Sequence, residues 1–181
     1  MPSAEKIRSR TRCRLEIFRG RRLWIEKMAI PLPNGITREK VIVHPGNAVA
    51  IFPIDGNRCK LLKQYRYAVG QHIYEAPAGT MEEGEDPLET AHRELIEETG
   101  FRAKTIVPKG FIYTTPGFTD EKIFLFLARD LSPSDEYGKD EDEVIEVVDV
   151  ATRDIAGMIR DGTICDAKTI CLAYRCLGDG Q

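Results

Sequence analysis

Residues 93–101 read Arg93-Glu94-Leu95-Ile96-Glu97-Glu98-Thr99-Gly100-Phe101, preceded at fixed offsets by Glu85 and Gly79. Seven specified positions and two apolar ones match by chance on the order of 10⁻⁹ times per window. A chain of 181 residues offers too few windows for coincidence. The spacing constrains the fold because it predicts a helix with sharp ends and an acidic face.

Asp86 suits the N-cap and Pro87 the first helical position, and Glu89 three residues on completes a capping box. Gly100 supplies the stop. Leu88, Ala91 and Leu95 fall at i, i+3 and i+7 and predict the buried stripe. Glu94, Glu97 and Glu98 share a neighbouring face, where like charges destabilise a helix. Packed into a cleft, such carboxylates are driven toward protonation unless a cation sits among them. A hard divalent ion meets that need, Mg²⁺ first. Arg93, on the other side of the acidic row, is placed to hold one glutamate by a bidentate pair. Clustered glutamates ordinarily mean a solvated face, but the glycine loop, Glu85 and Arg93 at fixed offsets outweigh that meaning here.

Together these residues resemble the Nudix box, and no specified position departs from it. The resemblance implies an α/β/α sandwich with a mixed central sheet. It implies hydrolysis of a nucleoside diphosphate linked to another group, by water activated on divalent metal. Glu94, Glu97 and Glu98 are the expected ligands of Mg²⁺, for which Mn²⁺ can substitute, and the resemblance adds the backbone carbonyl of Ala78.

Outside the box, Pro116 lies sixteen positions after Gly100, as in the ADP-ribose pyrophosphatase subfamily. Gln64-Tyr65-Arg66, Glu75-Ala76-Pro77-Ala78-Gly79 and Asp166-Ala167-Lys168-Thr169 are also similar to that subfamily, so the resemblance runs from about Pro33 to Leu177. In the subfamily the base comes from a late acidic loop, here Asp140-Glu141-Asp142-Glu143. That implies Glu141 as base, acting with Glu97 and Arg93, and Glu143 as a further metal contact. A slip of one or two residues exchanges the two, and a merely solubilising acidic loop is the alternative. The resemblance further implies that Arg66 and Arg38 contact the diphosphate or terminal ribose, and that Glu121 lies near the ribose hydroxyls or the metal. Arginine suits phosphate through its planar fork of donors. Adenine needs a flat or aliphatic clamp, for which Trp24 is the candidate wall.

The expected reaction is therefore cleavage of ADP-ribose to AMP and ribose 5-phosphate. GDP-mannose, NADH or FAD are alternative substrates, and a non-catalytic nucleotide sensor is the alternative from another class. A sensor is expected to have lost box glutamates, whereas Glu85, Glu94, Glu97 and Glu98 are all present.

A formal net charge of −3 gives no case for nucleic-acid or membrane partners. Arg8, Arg10, Arg12 and Arg14 recur at period two, which suits a strand with a solvated basic face better than a nucleic-acid arm. The longest apolar run, about Ala48 to Phe52, has strand length, and the first thirty residues hold no signal-peptide stretch. Five cysteines without zinc-type pairing read as reduced thiols of a cytoplasmic protein.

Short apolar or alternating runs predict strands at Cys13–Phe18, Leu23–Ile30, Ile36–Val43, Ala48–Ile54, Cys59–Tyr65, His72–Ala76, Ile106–Tyr113, Ile123–Ala128 and Val144–Val150. Helices are expected at Thr152–Arg160 and Asp166–Leu177. A boundary near His44-Pro45-Gly46 separates a small amino-terminal antiparallel sheet, residues 1–45, from a hydrolase domain, residues 46–181. The resemblance implies a homodimer in which that sheet crosses to the partner, and the apolar hairpin from Leu23 to Val43 suits such an exchange.

Overall fold

The strand Ala48–Asp55 (β4) shows how the sheet acquires two buried faces. Val49 and Ile51 pack with Ala91 and Leu95, while Ala50 and Phe52 pack with Ile155, Ile164 and Leu172. Its parallel neighbour Lys122–Pro133 (β9) repeats the alternation, with Phe126 and Ala128 on the first side and Leu125 and Leu127 on the second. A strand covered on both faces is apolar at both parities, which explains the unbroken run from Ala48 to Phe52.

The computed structural model describes residues 14–135 and 145–178. The other strands are β1 (Arg14–Arg19), β2 (Trp24–Pro31), β3 (Thr37–His44), β5 (Arg58–Arg66), β6 (Gln71–Glu75), β7 (Ala78–Thr80), β8 (Phe101–Tyr113) and β10 (Ile145–Ala151). The helices are α1 (Pro87–Thr99), α2 (Thr152–Arg160) and α3 (Ala167–Leu177). Two compact units divide the chain: one runs to Gly46 and takes in Tyr113–Glu121, and the other holds Asn47–Ile112 and the residues from Lys122 on.

In the larger unit the strand order is β10-β5-β4-β9-β8, with β6 on β5 and β7 on β4. The β4–β9 pair is parallel, whereas β4–β5, β5–β6, β5–β10 and β4–β7 are antiparallel, so the seven-stranded sheet is mixed. Helix α1 covers one face through Ala91 and Leu95, and α2 and α3 cover the other through Ile155 and Leu172. The result is an α/β/α sandwich. Gly56 at φ 57° turns β4 into β5 above the Asp55–Arg58 pair.

In the smaller unit β1, β2 and β3 form an antiparallel sheet. The β2–β3 turn is closed by the Ile36 N–H donating to Asn34 Oδ1 at 3.1 Å, next to Gly35 at φ 81°. The Val43 N–H donates to the Phe118 carbonyl at 2.8 Å, tying the segment 113–121 to β3. Arg8, Arg10 and Arg12 lie outside the described residues.

Two sequence expectations are corrected, and one strand is new. Leu88 is 40% exposed, so the buried face of α1 is Thr90, Ala91, Glu94, Leu95, Glu98 and Thr99. β8 begins at Phe101, directly after the helix, and not near Ile106. The three-residue β7 was not expected at all. Among the described residues no helix is long and apolar enough to cross a membrane.

Candidate active site

Helix α1 is fixed at both ends by its own sequence. Asp86 Oδ1 accepts the Leu88 N–H at 2.8 Å, and Gly100 at φ 75° donates its N–H to the Ile96 carbonyl at 2.8 Å. The aspartate bond falls on the second helical residue, one position short of a capping box. Burying Leu95 completely contributes roughly 1.5–3 kcal/mol to holding the helix on the sheet. That packing also carries Glu94 and Glu98 into the interior, at 9% and 5% exposure.

Buried carboxylates need partners. Arg93 supplies one to Glu94 and also holds the two more exposed glutamates beside it. Its Nε and Nη2 donate to the two oxygens of Glu85, both at 3.1 Å, and its Nη1 donates to Glu94 Oε1 at 2.7 Å and Glu97 Oε2 at 3.1 Å. The arginine therefore joins three carboxylates, where the sequence suggested one. The hydrogen bond from Arg93, aided by the Glu82 N–H, holds the Glu85 carboxyl down at about 2. Its bond to Glu85, with Glu94 close by, raises the Arg93 guanidinium above its ordinary value.

Strand β7 lies against the acidic face. The Ala78 N–H donates to Glu98 Oε2 at 2.7 Å. At Gly79 a Cβ would fall 1.9 Å from Glu94 Cδ and 2.0 Å from Oε1, so only glycine leaves room for this carboxylate. Arg93, Glu94, Glu97, Glu98 and the backbone of Ala78 are thus brought together.

A second group joins Arg66, expected at the diphosphate or ribose, to Glu75, Lys168 and Asp166, to which the sequence assigned no roles. Glu75, 1% exposed, accepts from Arg66 Nε at 2.6 Å and Nη2 at 2.8 Å, and also from Lys168 Nζ. Burial pushes the Glu75 carboxyl up, but Arg66 and Lys168 outweigh burial and hold it below its ordinary value. Lys168 also pairs with Asp166 at 3.1 Å, and Asp166 caps α3 by accepting from the Thr169 N–H at 2.9 Å. The signals were the motifs Glu75–Gly79 and Asp166–Thr169; nothing local to either joins them across 93 residues.

Of the remaining expected residues, Arg66 has its fork engaged by Glu75, and its side chain is partly exposed. Trp24, Arg38, Pro116 and Glu121 belong to the smaller unit. There Trp24 stacks on His44 with ring centroids 3.7 Å apart and planes 12° apart, so His44 occupies one face of the indole. His44 Nδ1 lies 2.7 Å from Asp120 Oδ2 and its Nε2 3.1 Å from Glu26 Oε1, a buried structural role. Glu121 Oε2 accepts from the Thr114 hydroxyl at 2.7 Å, and Arg38 and Pro116 are exposed. Glu141 and Glu143 lie outside the described residues. A cavity of about 650 Å³, lined by Lys109, Arg129, Ile155 and Ala173 among others, includes none of the expected site residues.

Among the described residues no three His, Cys, Asp or Glu side chains form a ready-made metal cage. Mg²⁺ needs no such cage, because it keeps several waters and takes one or two carboxylates plus substrate phosphate. Hard oxygens on Glu94, Glu97 and Glu98, with a glycine admitting one of them, fit that ion's chemistry.

The NUDIX domain model matches residues 44–171. The chain belongs to the Nudix family. It is 36% identical over 167 residues to an ADP-ribose pyrophosphatase of Bacillus subtilis (strain 168), covering 91% of this chain and 90% of that one. It is 38% identical over 157 residues to a methanol dehydrogenase activator of Bacillus methanolicus, covering 86% and 85%. Its fold matches a crystal structure of an ADP compounds hydrolase with a TM-score of 0.82 at 24% identity, over 93% of this chain and 91% of that one. As a Nudix hydrolase the chain belongs among enzymes that generally use divalent metal.

Proposed function

We propose that this Nudix hydrolase splits the pyrophosphate bond of ADP-ribose with one water, giving AMP and ribose 5-phosphate, with Mg²⁺ as cofactor and Mn²⁺ as a substitute. The observation that carries the reading is the row Glu94, Glu97 and Glu98, ordered by Arg93 and by the glycine-bearing strand β7. The choice of ADP-ribose is supported by the likeness to an ADP-ribose pyrophosphatase along 91% of this chain.

Glu94, Glu97, Glu98 and the Ala78 carbonyl would hold the metal, joined by Glu143. A divalent cation bound there neutralises phosphate charge and acidifies a coordinated water. Glu141 takes the proton of the attacking water as its oxygen bonds to phosphorus and the bridging P–O bond breaks. Arg93 acts by fixing Glu94 and Glu97 in orientation. Arg66 and Arg38 meet the diphosphate or terminal ribose, with the Arg66 fork pre-set by Glu75. Trp24 walls the adenine, and Pro116 and Glu121 border the ribose.

In this reading residues 1–45 form a dimerisation sheet that crosses to a second copy, and residues 46–181 form the hydrolase domain. The exposed apolar side chains Leu15, Ile17, Phe18 and Val41 on that sheet support the exchange. The reduced-thiol composition supports a cytoplasmic setting. Glu98→Gln tests the metal assignment: turnover of ADP-ribose falls by about 100-fold or more with the fold retained, and unchanged turnover sinks it.

A further inference from the structure

The head of α3 reaches the acidic row of α1 through four hydrogen bonds. The Thr169 hydroxyl, wholly buried, donates to Asp166 Oδ2 at 2.6 Å and accepts the Ala76 N–H at 2.7 Å. Next along the chain, the peptide between Pro77 and Ala78 is bonded at both ends. Its carbonyl accepts the Ile51 N–H at 2.8 Å, and its N–H donates to Glu98 Oε2 at 2.7 Å. Glu75, just before this stretch, is held by Arg66 and Lys168, and Lys168 reaches back to Asp166. The segment from Glu75 to Ala78 therefore has its orientation set from α3 and passes it to Glu98.

We propose that Thr169 is a positioning residue for the Glu98 carboxylate, acting through Ala76 and the Pro77–Ala78 peptide. This rests on the reading of Glu98 as a metal ligand. Groups that orient ligands from behind set metal affinity as well as activity, and their loss costs about 10–100-fold. A hydroxyl that merely satisfied a buried amide would affect stability alone. Thr169 can serve both helices because its Oγ gives its proton to Asp166 while accepting from Ala76. Valine has nearly the same shape and can do neither. Asp166 would still cap α3 through the backbone N–H of residue 169.

The test is Mn²⁺ binding to the full chain without substrate, followed by electron paramagnetic resonance, beside thermal melting. Thr169→Val weakens Mn²⁺ by about tenfold and Thr169→Ser restores it to within about twofold. Leu172→Ala, which removes a fully buried side chain of the same helix, lowers melting but leaves Mn²⁺ affinity unchanged. Asp166→Asn keeps a good N-cap while loosening the hydroxyl, and it covers the case in which Thr169→Val does not fold. Its expected loss of affinity is about threefold. Unaltered Mn²⁺ affinity in folded Thr169→Val, or in Asp166→Asn where the valine variant does not fold, overturns the proposal. Absence of Mn²⁺ binding by the unmutated chain instead overturns the metal reading beneath it.

Discussion

Gly79 and Glu94 meet so closely that a single methyl group on the glycine would overlap the glutamate's carboxylate, 1.9 Å from its Cδ. The atoms in the way are the far end of a flexible side chain, so the fold can yield while the site cannot. Gly79→Ala therefore leaves melting nearly unchanged and lowers turnover by about 100-fold, as a misplacement of about 1 Å can. Wild-type turnover in this variant would contradict the importance given to Glu94.

Arg93 binds Glu85 through two nitrogens and also reaches Glu94 and Glu97. Lysine keeps the charge but has no planar fork. Arg93→Lys is expected to lose about tenfold or more in turnover, with a smaller change in KM. Full activity in the lysine variant would show that only the charge matters.

Acid should act on the same pair. The folded-state value of Glu85, about 2, lies below its ordinary 4.5. Its ionised form therefore contributes stability above that ordinary value, and the contribution is lost as pH falls toward about 2. A carbon-detected NMR titration should place the Glu85 carboxyl near 2 in the native protein and clearly higher in Arg93→Gln, where the Glu82 N–H still holds it. A native Glu85 titrating near 4.5 contradicts the pairing.

Much of the site was legible because its signals are local. Asp86, Pro87 and Gly100 act within one turn of the residues they punctuate, and α1 begins and ends where those residues put it. What was missed depends on distant partners. β7 is three residues long and exists because β4 pairs with it. The early part of β8 alternates Phe101 and buried Ala103 with exposed Arg102 and Lys104, but it follows directly on Gly100 with no loop between helix and strand to mark its start. Leu88 has the right spacing for the buried stripe but stays 40% exposed on the same turn as the wholly buried Thr90. Glu75 and Lys168 meet across 93 residues, and no period within either motif encodes that meeting.

The acidic loop offers its own test. Glu141→Gln should lower turnover by about 100-fold with little change in substrate binding, as loss of a general base does. If Glu143→Gln shows that pattern and Glu141→Gln does not, the base stands two residues later than proposed.

The most direct measurement of the central claim is product release from ADP-ribose, GDP-mannose, NADH and FAD, with Mg²⁺ and then with EDTA. The account predicts AMP and ribose 5-phosphate from ADP-ribose as the preferred reaction, abolished by EDTA. Preference for another compound would contradict the substrate while keeping the chemistry, and turnover of ADP-ribose undiminished by EDTA would contradict the metal-dependent site itself.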